Sequence, residues 1–217
     1  MPCQAERFFG RIKHMLKAVI FDLNGVLMDD TLDFVKVFQE AAEENGLKIP
    51  TKEDVISTLG LTWSVMTKKI LGDDEKYKPT LERIWKKYED GMKLMPGVEK
   101  IIIGLKMKKA IVTSAGEDYV KRILKNLVSQ FDVIITQEST EKHKPYPEPL
   151  LLACEKLQIK PEEAVYVGDR IIDFETAKNA GTDFIGILSG GTSEEEFKKS
   201  GVTKIIKSLG ELLEIVK

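Results

Sequence analysis

Five short apolar runs recur along the chain: residues 18–21 (AVIF), 110–113 (AIVT), 133–136 (VIIT), 164–167 (AVYV) and 184–187 (FIGI). They are rich in β-branched residues and stay apolar at consecutive positions, the pattern of strands buried on both faces. Helical spacing fills the stretches between the later runs, at residues 98–107, 117–127, 149–157 and 173–180. Pro149 fits a first helical turn, and Gly181 stops the last of these helices. A final strand is expected near residues 204–206, before a terminal helix. Strands alternating with helices predict an α/β fold, with a Rossmann-like, doubly wound parallel sheet.

The interval after the first run is different. Residues 32–45 carry Phe34, Val35, Val37, Phe38, Ala41 and Ala42 at helical spacing, and Gly46 follows as a stop. Thr51 reads as an N-cap with Asp54 at the capping-box position. Residues 61–71 form a third helical stretch, and Asp73 or Asp74 can cap a fourth that runs through Trp85 and Tyr88. No strand pattern appears between residues 31 and 92. This predicts an all-helical cap at 31–92, small for an independent domain but adequate as a lid. The core is then 15–30 and 93–217. Residues 1–14 are basic and irregular, lack the apolar centre of a signal peptide, and read as an N-terminal extension or tail before Met15. His14 lies there and is given no role.

Composition narrows the function classes. The formal net charge is −2, so no basic nucleic-acid footprint exists. No apolar run reaches membrane-spanning length. Cys3 and Cys154 are far apart and outside any metal-binding spacing, which suits a reducing compartment with Cys154 as a small buried apolar residue. A cytoplasmic protein, monomeric or weakly dimeric, with no nucleic-acid or membrane partner is expected.

The candidate chemistry sits where the strands end. Asp22 and Asn24 follow the first strand, Thr113 and Ser114 the second, and Lys144 stands in the loop HKPYPEP after the third. Gly168, Asp169 and Asp173 follow the fourth in GDRIID. Parallel strands present their carboxyl ends on one edge, so these groups can converge. With a phosphate ester as substrate each has a task. Asp22 can attack phosphorus as a carboxylate nucleophile. Asp22 and Asp169 offer hard oxygens to Mg²⁺, and Asp173 can hold one of its waters. Hydroxyls and backbone N–H groups at Thr113 and Ser114 suit phosphate oxygens, and Lys144 adds counter-charge. The Mg²⁺ would hold nucleophile and phosphate together despite their like charge.

At these residues the chain resembles the haloacid dehalogenase-like hydrolase superfamily. Asp22-Leu23-Asn24-Gly25-Val26 matches the family's DxDGV motif except at Asn24, and Thr113 or Ser114 its Ser/Thr motif. Lys144-Pro145 matches its lysine motif, and Gly168-Asp169 through Asp173 its GDxxxD. The cap position is similar to the phosphoglycolate phosphatase and β-phosphoglucomutase branch. The resemblance implies an Mg²⁺-dependent phosphatase for a small phosphorylated metabolite, working through an aspartyl-phosphate on Asp22. It also implies that the metal takes the backbone carbonyl at Asn24, and that position 24 is the general acid and base. An amide cannot fill that role, because it has no proton titrating in the useful range. Asn24 thus leaves open a substitution designed to hold substrate, a slow phosphatase, a non-catalytic phosphometabolite-binding protein, or deamidation at Asn24-Gly25 to a carboxylate. A β-phosphoglucomutase-like mutase is a further alternative, and haloacid dehalogenation fits less well because of Gly168-Asp169.

Other residues have blander readings. Trp63 reads first as helix packing within the cap, and alternatively as part of a substrate-facing loop. His143 reads as an exposed loop residue, and Lys68 and Lys69 as a solvated face. Thr113 and Ser114 can also cap the next helix. Asp29 and Asp30 mark the hinge into the cap, their acidity suiting a helix start.

Overall fold

The computed structural model describes residues 16–89 and 91–216. Expectations for residues 1–14, for Met15 and for Cys3 lie outside the described residues. The elements run β1 (Ala18–Phe21), α1 (Thr31–Glu44), α2 (Lys52–Ile56), α3 (Trp63–Leu71), α4 (Asp74–Glu89), α5 (Val98–Gly104), β2 (Lys108–Val112), α6 (Glu117–Leu124) and β3 (Val133–Ile135). They continue α7 (Glu148–Leu157), β4 (Ala164–Gly168), α8 (Ile171–Ala180), β5 (Asp183–Ile187), α9 (Glu194–Lys199), β6 (Ile205–Ile206) and α10 (Leu209–Ile215).

The strands form one parallel sheet in the order β3-β2-β1-β4-β5-β6. β1 is central, pairing Phe21 with Ile111 on one side and Val167 on the other. Because side chains alternate along a strand, each strand feeds two cores. Ile20, Val112, Ile135 and Tyr166 join Leu150, Cys154 and Ala177, under α7 and α8. Phe21, Ile111, Val167 and Ile185 join Ile102, Val120 and Leu212, under α5, α6 and α10. Consecutive apolar residues are therefore what this sheet requires, each full burial contributing about 1.5–3 kcal/mol. Cys154 is buried and unpaired, as expected.

The four helices α1 to α4 follow β1 without an intervening strand, and their apolar faces meet through Phe34, Phe38, Leu81, Ile84 and Trp85. Thr51 caps α2 in a complete capping box with Asp54. Asp73 accepts from the Lys76 amide at the start of α4. No helix among the described residues is long and apolar enough to cross a membrane.

Several elements differ from the sequence pattern. The helix expected over 98–107 ends at Gly104, and β2 begins at Lys108, because the Lys108 N–H already pairs with Lys17 O at the sheet's start. The helix expected over 117–127 is α-helical only to Leu124. Lys125 then takes φ +49° and the chain tightens into a 3₁₀ turn to Gln130. Helix α9 was not foreseen; Ser193 and Glu196 cap it reciprocally, and Phe197 packs over Gly186.

Candidate active site

The β1 ladder continues one residue past Phe21, since the Asp22 N–H donates to Val167 O at 2.9 Å. This fixes the Asp22 carboxylate at the carboxyl edge of the central strand, 4% exposed. The next turn depends on Gly25, which has φ +79° and whose backbone lies so close to Asp169 that a Cβ would sit 2.4 Å from its carboxylate. Gly190, from the loop after β5, approaches Asp169 closer still. Ser189 Oγ donates to Gly25 O at 2.7 Å, tying the two loops together.

Lys144 is the hub of the buried charge. Its Nζ donates to Asp22 Oδ1 at 2.8 Å and to Asp173 Oδ1 at 2.7 Å, and all three residues are buried. Asp173 also accepts from the Arg170 N–H at 3.1 Å, at the N-cap of α8. The Tyr166 hydroxyl lies 3.0 Å from Val112 O and 3.1 Å from Asp173 Oδ1, and its one hydrogen serves one acceptor at a time. Asp169 Oδ2 takes the Arg170 guanidinium at 2.9 Å and the Gly191 N–H at 3.2 Å.

Three carboxylates thus face two cations, an uncompensated negative charge in a dry place. Burial lifts Asp22 to about 6 against the pull of Lys144. Burial likewise lifts Asp169 to about 8 against Arg170. Burial alone would lower Lys144, but Asp173 and Asp22 outweigh it, so its pKa rises and the ammonium persists. Asp169 Oδ1 is buried with no hydrogen-bond partner. Asp22, Asp169 and Asp173 each offer an oxygen within 4.8 Å of the others. Excess negative charge, hard oxygens and an orphaned carboxylate oxygen together fit a divalent cation.

The Asn24 side chain points away from this cluster. Its Nδ2 donates to Asp30 Oδ2 and lies 3.5 Å from Tyr119 Oη, while Tyr119 Oη donates to Asp30 at 2.8 Å. Asp30 is 2% exposed, and burial raises its pKa to about 6 although Tyr119 and Asn24 hydrogen-bond it. Asp30 therefore corrects the helix-start reading: it precedes α1 without a side-chain cap bond, and it lines the cavity. The Gly25 N–H donates to Met28 O at 2.8 Å. Deamidation at Asn24 needs that nitrogen as nucleophile, so the turn opposes it.

Thr113 is buried, and its Oγ1 accepts from the Ala115 N–H at 3.1 Å. Ser114 Oγ donates to Gly60 O at 2.7 Å, across to the cap. Neither caps α6, whose N-cap is Gly116. Two further contacts cross from core to cap: Arg170 Nη1 to Ile56 O at 3.2 Å and Arg122 Nε to Glu89 at 2.7 Å.

A cavity of about 810 Å³ opens above these groups. Asp22, Asn24, Thr113, Ser114 and Asp169 line its floor, whereas Lys144 and Asp173 lie beneath Asp22 and do not reach it. Trp63 both packs in the cap and faces the cavity, so its two readings hold together. Lys68 and Lys69 are exposed, as expected; His143 is half-buried and away from the cavity. Asp30, Tyr119, Tyr166 and Arg170 were not foreseen as members of the site.

A family model described as haloacid dehalogenase-like hydrolase matches residues 19–187. The chain belongs to this family. It is 34% identical over 220 residues to "Putative pyrophosphatase PpaX" of Caldanaerobacter subterraneus subsp. tengcongensis, covering 93% of this chain and 95% of that one. It is 28% identical to a phosphoglycolate phosphatase of Shigella dysenteriae, covering 91% of each. Among solved structures, a haloacid dehalogenase-like hydrolase of Bacteroides fragilis superposes with a TM-score of 0.83 at 29% identity, covering 91% of this chain and 99% of that one.

Proposed function

We propose that this haloacid dehalogenase-like hydrolase is an Mg²⁺-dependent phosphatase that cleaves a small phosphorylated metabolite by nucleophilic attack of Asp22. The observation that carries this reading is the floor of the cavity. One buried carboxylate, Asp22, faces it, backed by the Lys144 ammonium and flanked by the unpartnered Asp169 oxygen.

An Asp22 oxygen bonds to phosphorus as the ester P–O bond breaks and the alcohol oxygen leaves with the bonding pair. Water then bonds to the same phosphorus, the P–O bond to Asp22 breaks, and phosphate departs. Lys144 holds Asp22 in place and keeps it ionised for the first step. Thr113 and Ser114 offer hydroxyls and backbone N–H groups to the phosphate oxygens. Asp22 and Asp169, with the Asn24 carbonyl as the family pattern implies, would hold an Mg²⁺, and Asp173 one of its waters; the ion would supply charge neutralisation between nucleophile and phosphate.

Asn24 stands where the family places its acid and base. Its amide neither gives nor takes a proton at working pH, and its Nδ2 is already donated to Asp30. The reading is therefore a slow phosphatase, slowest when the leaving alcohol or the attacking water needs proton transfer. The names of the relatives make pyrophosphate and phosphoglycolate the first substrates to try. A mutase needs a second phosphate site, and the cavity's arginines Arg122 and Arg170 are already paired with Glu89 and Asp169.

Phosphate release from p-nitrophenyl phosphate tests the reading. It is expected with Mg²⁺, absent with a chelator, and absent in Asp22→Asn. Ester binding without any release, in this chain and in Asn24→Asp alike, would replace it with the binding-protein reading.

A further inference from the structure

The phosphate floor is polar and the rim is charged, but one wall of the cavity is apolar. Tyr119, whose hydroxyl reaches Asp30 beside Asn24, starts a continuous run of aromatic contacts into the cap. Its ring meets Trp85 at 5.6 Å; Trp85 meets Phe34 at 4.7 Å and Trp63 at 5.2 Å; Phe34 meets Trp63 at 5.8 Å. All four rings line the cavity, with Leu61 and Met66 beside them. Trp63 is only partly buried among its neighbours, so part of its indole is left to the cavity.

The size of the space agrees with this wall. About 810 Å³ is in the range that holds a drug-sized molecule, far more than a two-carbon phosphate or pyrophosphate fills. Charge does not favour a second anionic group. On the rim, Lys78, Glu82 and Lys86 stand one helical turn apart on α4 with Glu82 between the two cations. Arg122 is committed to Glu89.

We propose that the substrate is a phosphate monoester of a bulky, flat, apolar or aromatic alcohol, its body lying against the Trp63–Phe34–Trp85 wall. This rests on the phosphatase reading above and adds the class of the leaving group. It separates this chain from the relatives named for phosphoglycolate and pyrophosphate, both small and strongly charged.

Non-hydrolysable phosphonates isolate binding from turnover. Calorimetry with Mg²⁺ would compare methylphosphonate, phosphonoacetate and 1-naphthylmethylphosphonate on the intact chain. The naphthyl compound is expected to bind at least about tenfold tighter than methylphosphonate, with phosphonoacetate gaining little. Trp63→Ala, and Trp63→Leu as the variant that keeps more of the packing, should remove most of that gain while methylphosphonate binds as before. An equal or larger gain for phosphonoacetate, or a naphthyl gain unchanged in both Trp63 variants, overturns the inference and leaves the phosphatase reading standing. No binding of any phosphonate with Mg²⁺ removes the phosphatase reading and this inference with it.

Discussion

The floor and the wall of the cavity are built on opposite terms. At the floor and just beneath it, Asp22, Asp169, Lys144 and Asp173 are buried charges within hydrogen-bonding reach of partners or of one another. On the wall, Phe34, Trp63 and Trp85 contribute ring faces and no ionisable group. Buried charges are costly to leave unpaired, so each of these residues constrains the next. Aromatic contacts are individually modest and tolerate replacement. In the proposed reading, chemistry belongs to the paired charges and selection among esters to the rings.

Substitutions should reveal this difference, and the floor should give the largest effects. Asp22→Asn is expected to lower phosphate release by at least about 10⁴-fold, since it removes the nucleophile while nearly preserving shape. Steady-state release measured with Mg²⁺ checks this. Asn24→Asp should act in the other direction, raising release by about 10²–10⁴-fold by supplying a group that can carry a proton. The gain should be greatest for esters of poorly acidic alcohols, so a series of leaving groups separates a restored acid from a general improvement in binding. Lys144→Met leaves Asp22 and Asp173 facing each other unneutralised and should cost about 3–5 kcal/mol of stability, read by denaturant unfolding.

The junction between floor and wall should respond to pH. The folded pKa of Asp30 is near 6, above its ordinary 3.8, so folding favours its protonated form. That contribution is fully present below pH 3.8 and is lost as pH rises through 6. Asp30→Asn keeps an acceptor for Asn24 and Tyr119 but cannot ionise. It should therefore be more stable than the parent at pH 7, by about 2–3 kcal/mol, with the difference vanishing near pH 4. Paired unfolding curves across that window measure it. The smallest effect belongs to the core–cap contact. Ser114→Ala loses the 2.7 Å bond to Gly60 O, about 1 kcal/mol, and amides of residues 57–61 should exchange about fivefold faster.

The sequence carried the sheet well because burial on both faces leaves consecutive apolar residues, as in Ala18–Phe21. It carried the floor because chemistry at strand ends leaves Asp22, Lys144, Asp169 and Asp173 beside recognisable turns. Asp30 and Tyr119 were not legible, since their meeting joins positions 89 residues apart through the hinge. The Asp29-Asp30 doublet was the available signal, and helix-start chemistry explained it too easily. Tyr166 sits inside an apolar strand, where its ring hides the hydroxyl that reaches toward Asp173. The end of α6 was missed because Lys125 adopts a left-handed φ that nothing in its side chain announces.

In the proposed reaction Asp22 carries the phosphoryl group, while Asn24 fails to help water remove it. Rapid mixing with p-nitrophenyl phosphate and Mg²⁺ tests it most directly, because p-nitrophenolate leaves without needing an acid. A burst of p-nitrophenolate approaching one per chain is expected, then slow turnover. The burst should be absent in Asp22→Asn and merge into faster steady turnover in Asn24→Asp. Linear release from the first turnover, at a rate that Asp22→Asn leaves unchanged, would contradict it.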